Sequence, residues 1–351
     1  MHKVALALVV SVALLGCASS PEQTASSATK KGGEPAWVSS PKAAYPDALY
    51  ASAVGSGADR ESAEKNALGA LVAVFGQRIT GETVVSSRYT EAVRAGTIDV
   101  SENTDVGRSV LSSYDLQTVV GADVREVWDD GKGTIWAVAV MDKGKAGMIY
   151  ADLVDTNEAS IRKLTSIPDS ERNTLDAYAR YGLAAEVADT NATFLNVLSV
   201  VSPGSAAARR QGAANAGVLR ATQMNIAESI PIKVTIANDR DGRITAAFSA
   251  AIAKAGFKQG GDGSRYALEG TLALSEVDLP KNPNKFVRYQ IDSALRDTRA
   301  NTSLIPYSIN GREGHTSQSE AEHRALRVAE QKIRDDFGGK LNEYLGKLSG
   351  S

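Results

Sequence analysis

The residues able to do chemistry are few, and their scarcity is informative. The chain has 1 cysteine, Cys17, and 3 histidines, His2, His315 and His323. One thiol excludes an internal disulfide, a thiolate zinc site and a CxxC redox pair together. His315 and His323 stand near Glu313, Glu320 and Glu322, residue types that could hold zinc or pass protons. Their separation amounts to about 12 Å along a helix, too far to share one ion unless the chain bends. A solvated polar face is the expected role. A Ser-His-Asp set is excluded, because His315 and His323 share one segment and no serine occupies a GxSxG elbow. Gly55-Ser56-Gly57 offers backbone amides that could bind an anion ahead of a helix. It lacks the third glycine of GxGxxG and the Gly-Lys-Ser/Thr of a P-loop, and Asp59 puts a carboxylate where a phosphate would sit. A tight strand-to-helix turn is expected there. No catalytic, cofactor-binding or metal-binding position is assigned, and no cofactor.

Charge and length narrow the classes further. With 39 Lys and Arg against 41 Asp and Glu, the chain has no net field to hold nucleic acid. Its 351 residues exceed one compact domain, so two are expected, each able to bury a core. Trp37, Trp128 and Trp136 all fall in the first of these. Core packing is their expected role, with an exposed Trp37 as an alternative anchor for a partner.

The place of the cysteine matters more than its number. Met1-His2-Lys3 is a short positive start, and Val4 to Leu15 is apolar apart from Ser11. As a helix that run reaches about 18 Å, short of the bilayer's hydrocarbon thickness, so a cleaved export signal over 1–16 is expected. Leu14-Leu15-Gly16-Cys17 resembles the lipobox of bacterial lipoproteins, with Leu15 bulkier than the usual small residue at that place. The resemblance implies that the Cys17 thiol takes a diacylglycerol, that cleavage precedes it and that the new amine is acylated. Several chains anchor stably where one does so only marginally. Ala18 and Ser19 follow in place of an aspartate, which by the same resemblance implies the outer membrane. Residues 17–34 carry no large apolar side chain and read as a flexible tether.

The elements beyond the tether form an expected α+β fold: two β-α-β-β-β-α layered domains, 35–166 and 231–351, joined by a helical spacer, 167–230. No proline interrupts Asp47 to Ile167. Leu49 to Val54 predicts a strand. Asp59 predicts the N-cap of a helix that presents Ala63, Ala67, Leu71, Val74 and Phe75 on one face. Ile79, Thr83, Val85 and Tyr89 suggest one side of a long strand, followed by a polar, weakly helical stretch from Glu102 to Ser113. Val119 to Val127 and Thr134 to Met141 flank Asp129-Asp130-Gly131-Lys132-Gly133, a hairpin. A helix from about Gly144 to Leu164 shows Ala146, Ile149, Tyr150, Leu153, Asn157 and Ile161 at helical spacing. In the second domain Ile232, Val234 and Ile236 alternate before an amphipathic helix that ends at Gly256. Three alternating runs follow, around Leu268, Tyr289 and Tyr307. Ser317-Gln318-Ser319-Glu320 then opens a long last helix as a capping box. Ala63-Glu64-Lys65-Asn66-Ala67-Leu68 echoes Ala321-Glu322-His323-Arg324-Ala325-Leu326. The echo falls on the first helix of one domain and the last of the other, so it reads as convergence of amphipathic helices.

Pro35-Ala36-Trp37-Val38, the strand ending in Gly55-Ser56-Gly57, and the helix from Ala63-Glu64 to Phe75-Gly76 resemble the Lpp-twenty lipoprotein family over about 35–150. That resemblance implies a membrane-associated, non-enzymatic lipoprotein and supplies no active-site residues. The second domain, with Gly256-Phe257 and Tyr266-x-Leu268-x-Gly270, is more loosely similar to periplasmic domains of outer-membrane assembly lipoproteins. The expected function is a non-enzymatic adaptor or assembly factor, held to the membrane by acylated Cys17, with other envelope proteins as partners, an oligomer being allowed. A regulator of cell-wall synthesis or flagellar assembly is the alternative within binding roles. An envelope hydrolase using carboxylates that the sequence does not locate is the alternative from another class.

Overall fold

The computed structural model describes residues 33–75, 87–98 and 119–349. The signal segment, Cys17 and most of the tether lie outside the described residues, as do the strand expected from Ile79 as far as residue 86 and the polar stretch Glu102 to Ser113. The fold is α+β, with a three-stranded and a four-stranded sheet among the described residues.

In the first sheet β1 (Tyr50–Gly57) and β2 (Ala122–Asp129) both pair antiparallel with the central β3 (Ile135–Asp142). Asp129-Asp130-Gly131-Lys132-Gly133 closes the expected hairpin, with Gly131 and Gly133 at positive φ. The short α1 (Ala36–Ser39) and α2 (Pro41–Ala44) precede β1, and α3 (Arg60–Val74) follows it. Asp59 caps α3 by accepting a hydrogen bond from the Ser62 N–H at 2.7 Å. Ala63, Ala67, Leu68, Leu71 and Phe75 turn inward, but Val74 is 51% exposed. It is the last helical residue, and the inward stripe has passed to Phe75.

Tyr89 does not end a strand: it lies in α4 (Ser87–Arg94), where Tyr89, Ala92 and Val93 are buried at helical spacing. The described part of this domain therefore departs from the repeated element order. The topologies differ as well, because β1 pairs antiparallel with its neighbour, whereas β4 (Ile232–Ala237) pairs in parallel with β5 (Tyr266–Val277). The echoing alanines of the two helices are all buried, a small-residue contact that helices on sheets reach independently.

α5 (Lys143–Thr165) leads to α6 (Leu175–Val201), α7 (Pro203–Arg210) and α8 (Ala216–Glu228). The helical segment is more than a spacer. Leu175 and Ala177 of α6 belong to the core of the second sheet, while Leu183, Val187, Phe194 and Leu198 belong to that of the first. One helix thus enters both cores, and each large side chain buried there contributes about 2 kcal/mol.

The second sheet has the order β4-β5-β6-β7, with β6 at Lys285–Asp297 and β7 at Thr302–His315. The parallel first pair is crossed by α9 (Arg243–Lys254), whose Ile244, Ala247, Phe248, Ala251 and Ile252 are buried. The capping box opens α10 (Gln318–Ser349), the Glu320 N–H donating to Ser317 Oγ at 3.3 Å. Its buried stripe takes every fourth residue from Ala321 to Leu345. Such a row drifts around the helix by about 40° a step, and Phe337 on it meets Phe248 of α9 and Tyr307 of β7 edge-on.

Candidate functional site

Cys17 lies outside the described residues, so its role rests on its sequence context. Gly55 and Gly57 have a structural task. A Cβ on Gly55 would stand 2.1 Å from the Ala67 nitrogen, and one on Gly57 would stand 2.6 Å from Ser62 Cβ. The glycines let α3 lie directly on β1, and Asn66 Nδ2 donates to the Ser56 carbonyl at 2.8 Å to lock the contact. The backbone N–H and hydroxyl of Ser62 hold the Asp59 carboxyl below its usual range, so the helix N-terminus already carries its anion.

His315 ends β7 and His323 sits exposed on α10. Among the described residues no group of three or more His, Cys, Asp or Glu side chains is placed to hold a metal ion. Of the tryptophans, Trp37 is 3% exposed, so it belongs to a core and not to a free surface. It packs with Trp128, Val138 and Val140 on the sheet face opposite the main core, beside Tyr45, Tyr50, Val54 and Trp136. Tyr45 donates to Glu126 Oε1 at 3.0 Å, and burial together with that carboxylate pushes its pKa up to about 12.

Two polar clusters went unread in the sequence. In the first, Tyr89 Oη donates to Asn157 Oδ1 at 2.8 Å, Asn157 Nδ2 to Asn191 Oδ1 at 3.3 Å, and Asn191 Nδ2 to Glu158 Oε1 at 2.8 Å. This chain ties α4, α5 and α6 together inside the first core. Its signal was present, since Asn157 occupies a position of the inward stripe of α5. In the second, Arg265 pairs with the buried Asp297 at 2.8 Å. Burial opposes ionisation of Asp297, but the Arg265 guanidinium and the N–H groups of Ala300 and Arg299 outweigh it and hold the carboxyl below its usual range. Both clusters are internally satisfied and structural.

One cleft lies where the two cores meet. Its volume is about 870 Å³, and it is bounded by α4, α6, α8 and the end of α10. Its apolar lining comes from Ala92, Leu183, Leu345 and the ring of Tyr178. Its rim carries Arg88, Glu91, Glu343 and Lys347. The Lys347 ammonium binds Glu343 at 2.7 Å and holds its carboxyl below the usual range. The Tyr178 hydroxyl is engaged by the Ala255 carbonyl at 3.2 Å, and burial raises its pKa. An apolar floor under a charge-balanced rim suits binding. Beside the second sheet a further cleft of about 660 Å³ lies between the loop Asn238–Asp241, the middle of β5 and the start of α10.

No protein-family model matches the chain, and no curated protein does. The family resemblance over 35–150 therefore stands on its motifs alone. Similar solved structures include a secreted protein of the human pathogen Helicobacter pylori, 12% identical, covering 82% of this chain and 98% of that one at a TM-score of 0.40. Another is a minor lipoprotein from Acinetobacter baumannii, 11% identical, covering 34% of this chain and 93% of that one at a TM-score of 0.23. The neighbours thus include secreted proteins and lipoproteins.

Proposed function

We propose that the chain is an envelope lipoprotein, anchored in the outer membrane through acylated Cys17, whose two α+β cores act as a non-enzymatic adaptor or assembly factor for other envelope proteins. The observation that carries this reading is Leu14-Leu15-Gly16-Cys17 after a short apolar run, followed by a stretch to residue 34 without a large apolar side chain. No helix among the described residues is long and apolar enough to cross a membrane, so the lipid supplies the attachment in this reading. The apolar floor and charge-balanced rim of the cleft between the cores suit recognition. The motif resemblance to Lpp-twenty lipoproteins points the same way. Metabolic labelling with a fatty acid tests the anchor: label is expected in the wild type and lost in Cys17→Ala, and equal labelling of both sinks it. Cross-linking in intact envelopes tests the adaptor role, with specific heteromeric adducts expected and a chain that yields none counting against it.

A further inference from the structure

β4 and β5 are unequal in length, and their register leaves part of β5 without a neighbour. Pairing ends at Ala237 opposite Thr271, while β5 runs on to Val277, held only by β6 as far as Phe286. Asn238, at φ 65°, turns the chain away, and its Nδ2 donates to the Leu272 carbonyl at 3.3 Å. That bond shows which way the Leu272 backbone faces. The N–H and C=O of one strand residue point to the same side and alternate along the strand, so Leu274 and Glu276 present their groups to the same open edge.

Several other edges are interrupted. Pro306 interrupts β7, a bulge between Val124 and Glu126 breaks β2, and Gln259 bridges the outer side of β4 at Ile232. Leu272-Ala273-Leu274-Ser275-Glu276-Val277 has neither proline nor bulge. The cleft of about 660 Å³ lies along this stub. Leu274, on the face that buries Leu268 and Leu272, is 40% exposed there, and Leu326 of α10 lines the same space. Asp239, Asp241 and Glu322 outnumber Arg240 on the walls.

We infer that the free edge of β5 from Leu274 to Val277 is a docking site for an extended segment of a partner protein, added to the sheet in line with β4, with an apolar residue beside Leu274 and Leu326 and basic residues toward its ends. Backbone pairing gives the affinity, the apolar notch sets the register, and the acidic walls select the charge. This deepens the adaptor reading and is tested apart from it, because an isolated peptide needs neither the anchor nor the native partner.

The probe is the peptide Lys-Lys-Val-Thr-Val-Thr-Lys-Lys added to the purified full-length protein, read by hydrogen–deuterium exchange. Exchange over residues 274–277 is expected to slow by about tenfold or more. The effect is expected to vanish when both valine nitrogens are methylated, and to vanish with glutamates in place of the lysines. Leu274→Pro removes an outward N–H without touching the β6 side and is expected to abolish the effect while protection of β6 persists. As a variant independent of backbone change, Asp241→Asn with Glu322→Gln is expected to weaken the peptide about tenfold. No slowing with any peptide, slowing that survives N-methylation, or equal slowing by the acidic peptide each overturns the proposal.

Discussion

In the first sheet Ala137 and Ala139 look into one core while Val138 and Val140 look into another, so β3 is dry on both sides. In the second sheet only one face is dry: Leu268, Tyr289 and Tyr307 meet the helices, whereas Glu269, Gln290 and Asn310 face water. The strand patterns record the difference. β3 is nearly continuous in apolar residues, as a sheet covered twice must be, and β5 to β7 alternate. A doubly covered sheet gives up surface for stability. A singly covered one keeps a face and an edge free for contacts.

The largest test of this contrast lies on the helix that joins the two halves. Phe194 on α6 meets Tyr89 and Tyr150 edge-on at 6.0 and 5.5 Å, and Phe194→Ala is expected to cost about 3–5 kcal/mol. Because α6 enters both cores, calorimetry should still show one transition. A variant that melts in two separate steps would show the halves to be independent.

Trp37→Ala comes next, expected to cost about 3 kcal/mol by uncovering the second face of the first sheet. The contrasting Gln290→Ala on the bare face of the second should stay within about 0.5 kcal/mol in chemical denaturation. Equal effects would erase the distinction between the faces.

Asp297→Asn is expected to cost about 2 kcal/mol at neutral pH, since it leaves Arg265 without its carboxylate. The folded state holds this carboxyl below its ordinary pKa, so its contribution is complete above the ordinary carboxylate range and is lost as pH falls through the depressed value. Acid unfolding curves of wild type and variant should therefore converge at low pH, and parallel curves would rule the pair out as a source of acid sensitivity. Gly55→Ala is expected to have an effect of similar size. Its Cβ would press on the backbone of α3 at Ala67, a strain of about 1–3 kcal/mol visible as a lower Tm.

The sequence made the second unit legible almost throughout, because alternation in β4 to β7 and the apolar stripe of α9 each match a single period. The first unit was harder. Tyr89 carries the same residue type whether it ends a strand or opens the buried face of α4, and only the burial of Ala92 and Val93 decides between them. Asn157 shared the period of its apolar neighbours, which hid its place in a hydrogen-bonded chain. The cleft between the cores and the free edge of β5 were illegible for another reason. Both depend on where elements stop relative to one another in space, and periodicity does not record that.

The shared helix α6 also bears on the order of assembly. The first core draws on residues as late as Leu198 and Leu219, long after its last strand ends at Asp142. A chain delivered from its N-terminus cannot close that core when β3 emerges. It must hold three strands with an open apolar side until α6 arrives, and the start of α6 then waits for Phe257 and Tyr266 to cover it. The exposed interval falls in the middle of delivery, which makes that stage the one at which a folding chaperone would have most to cover.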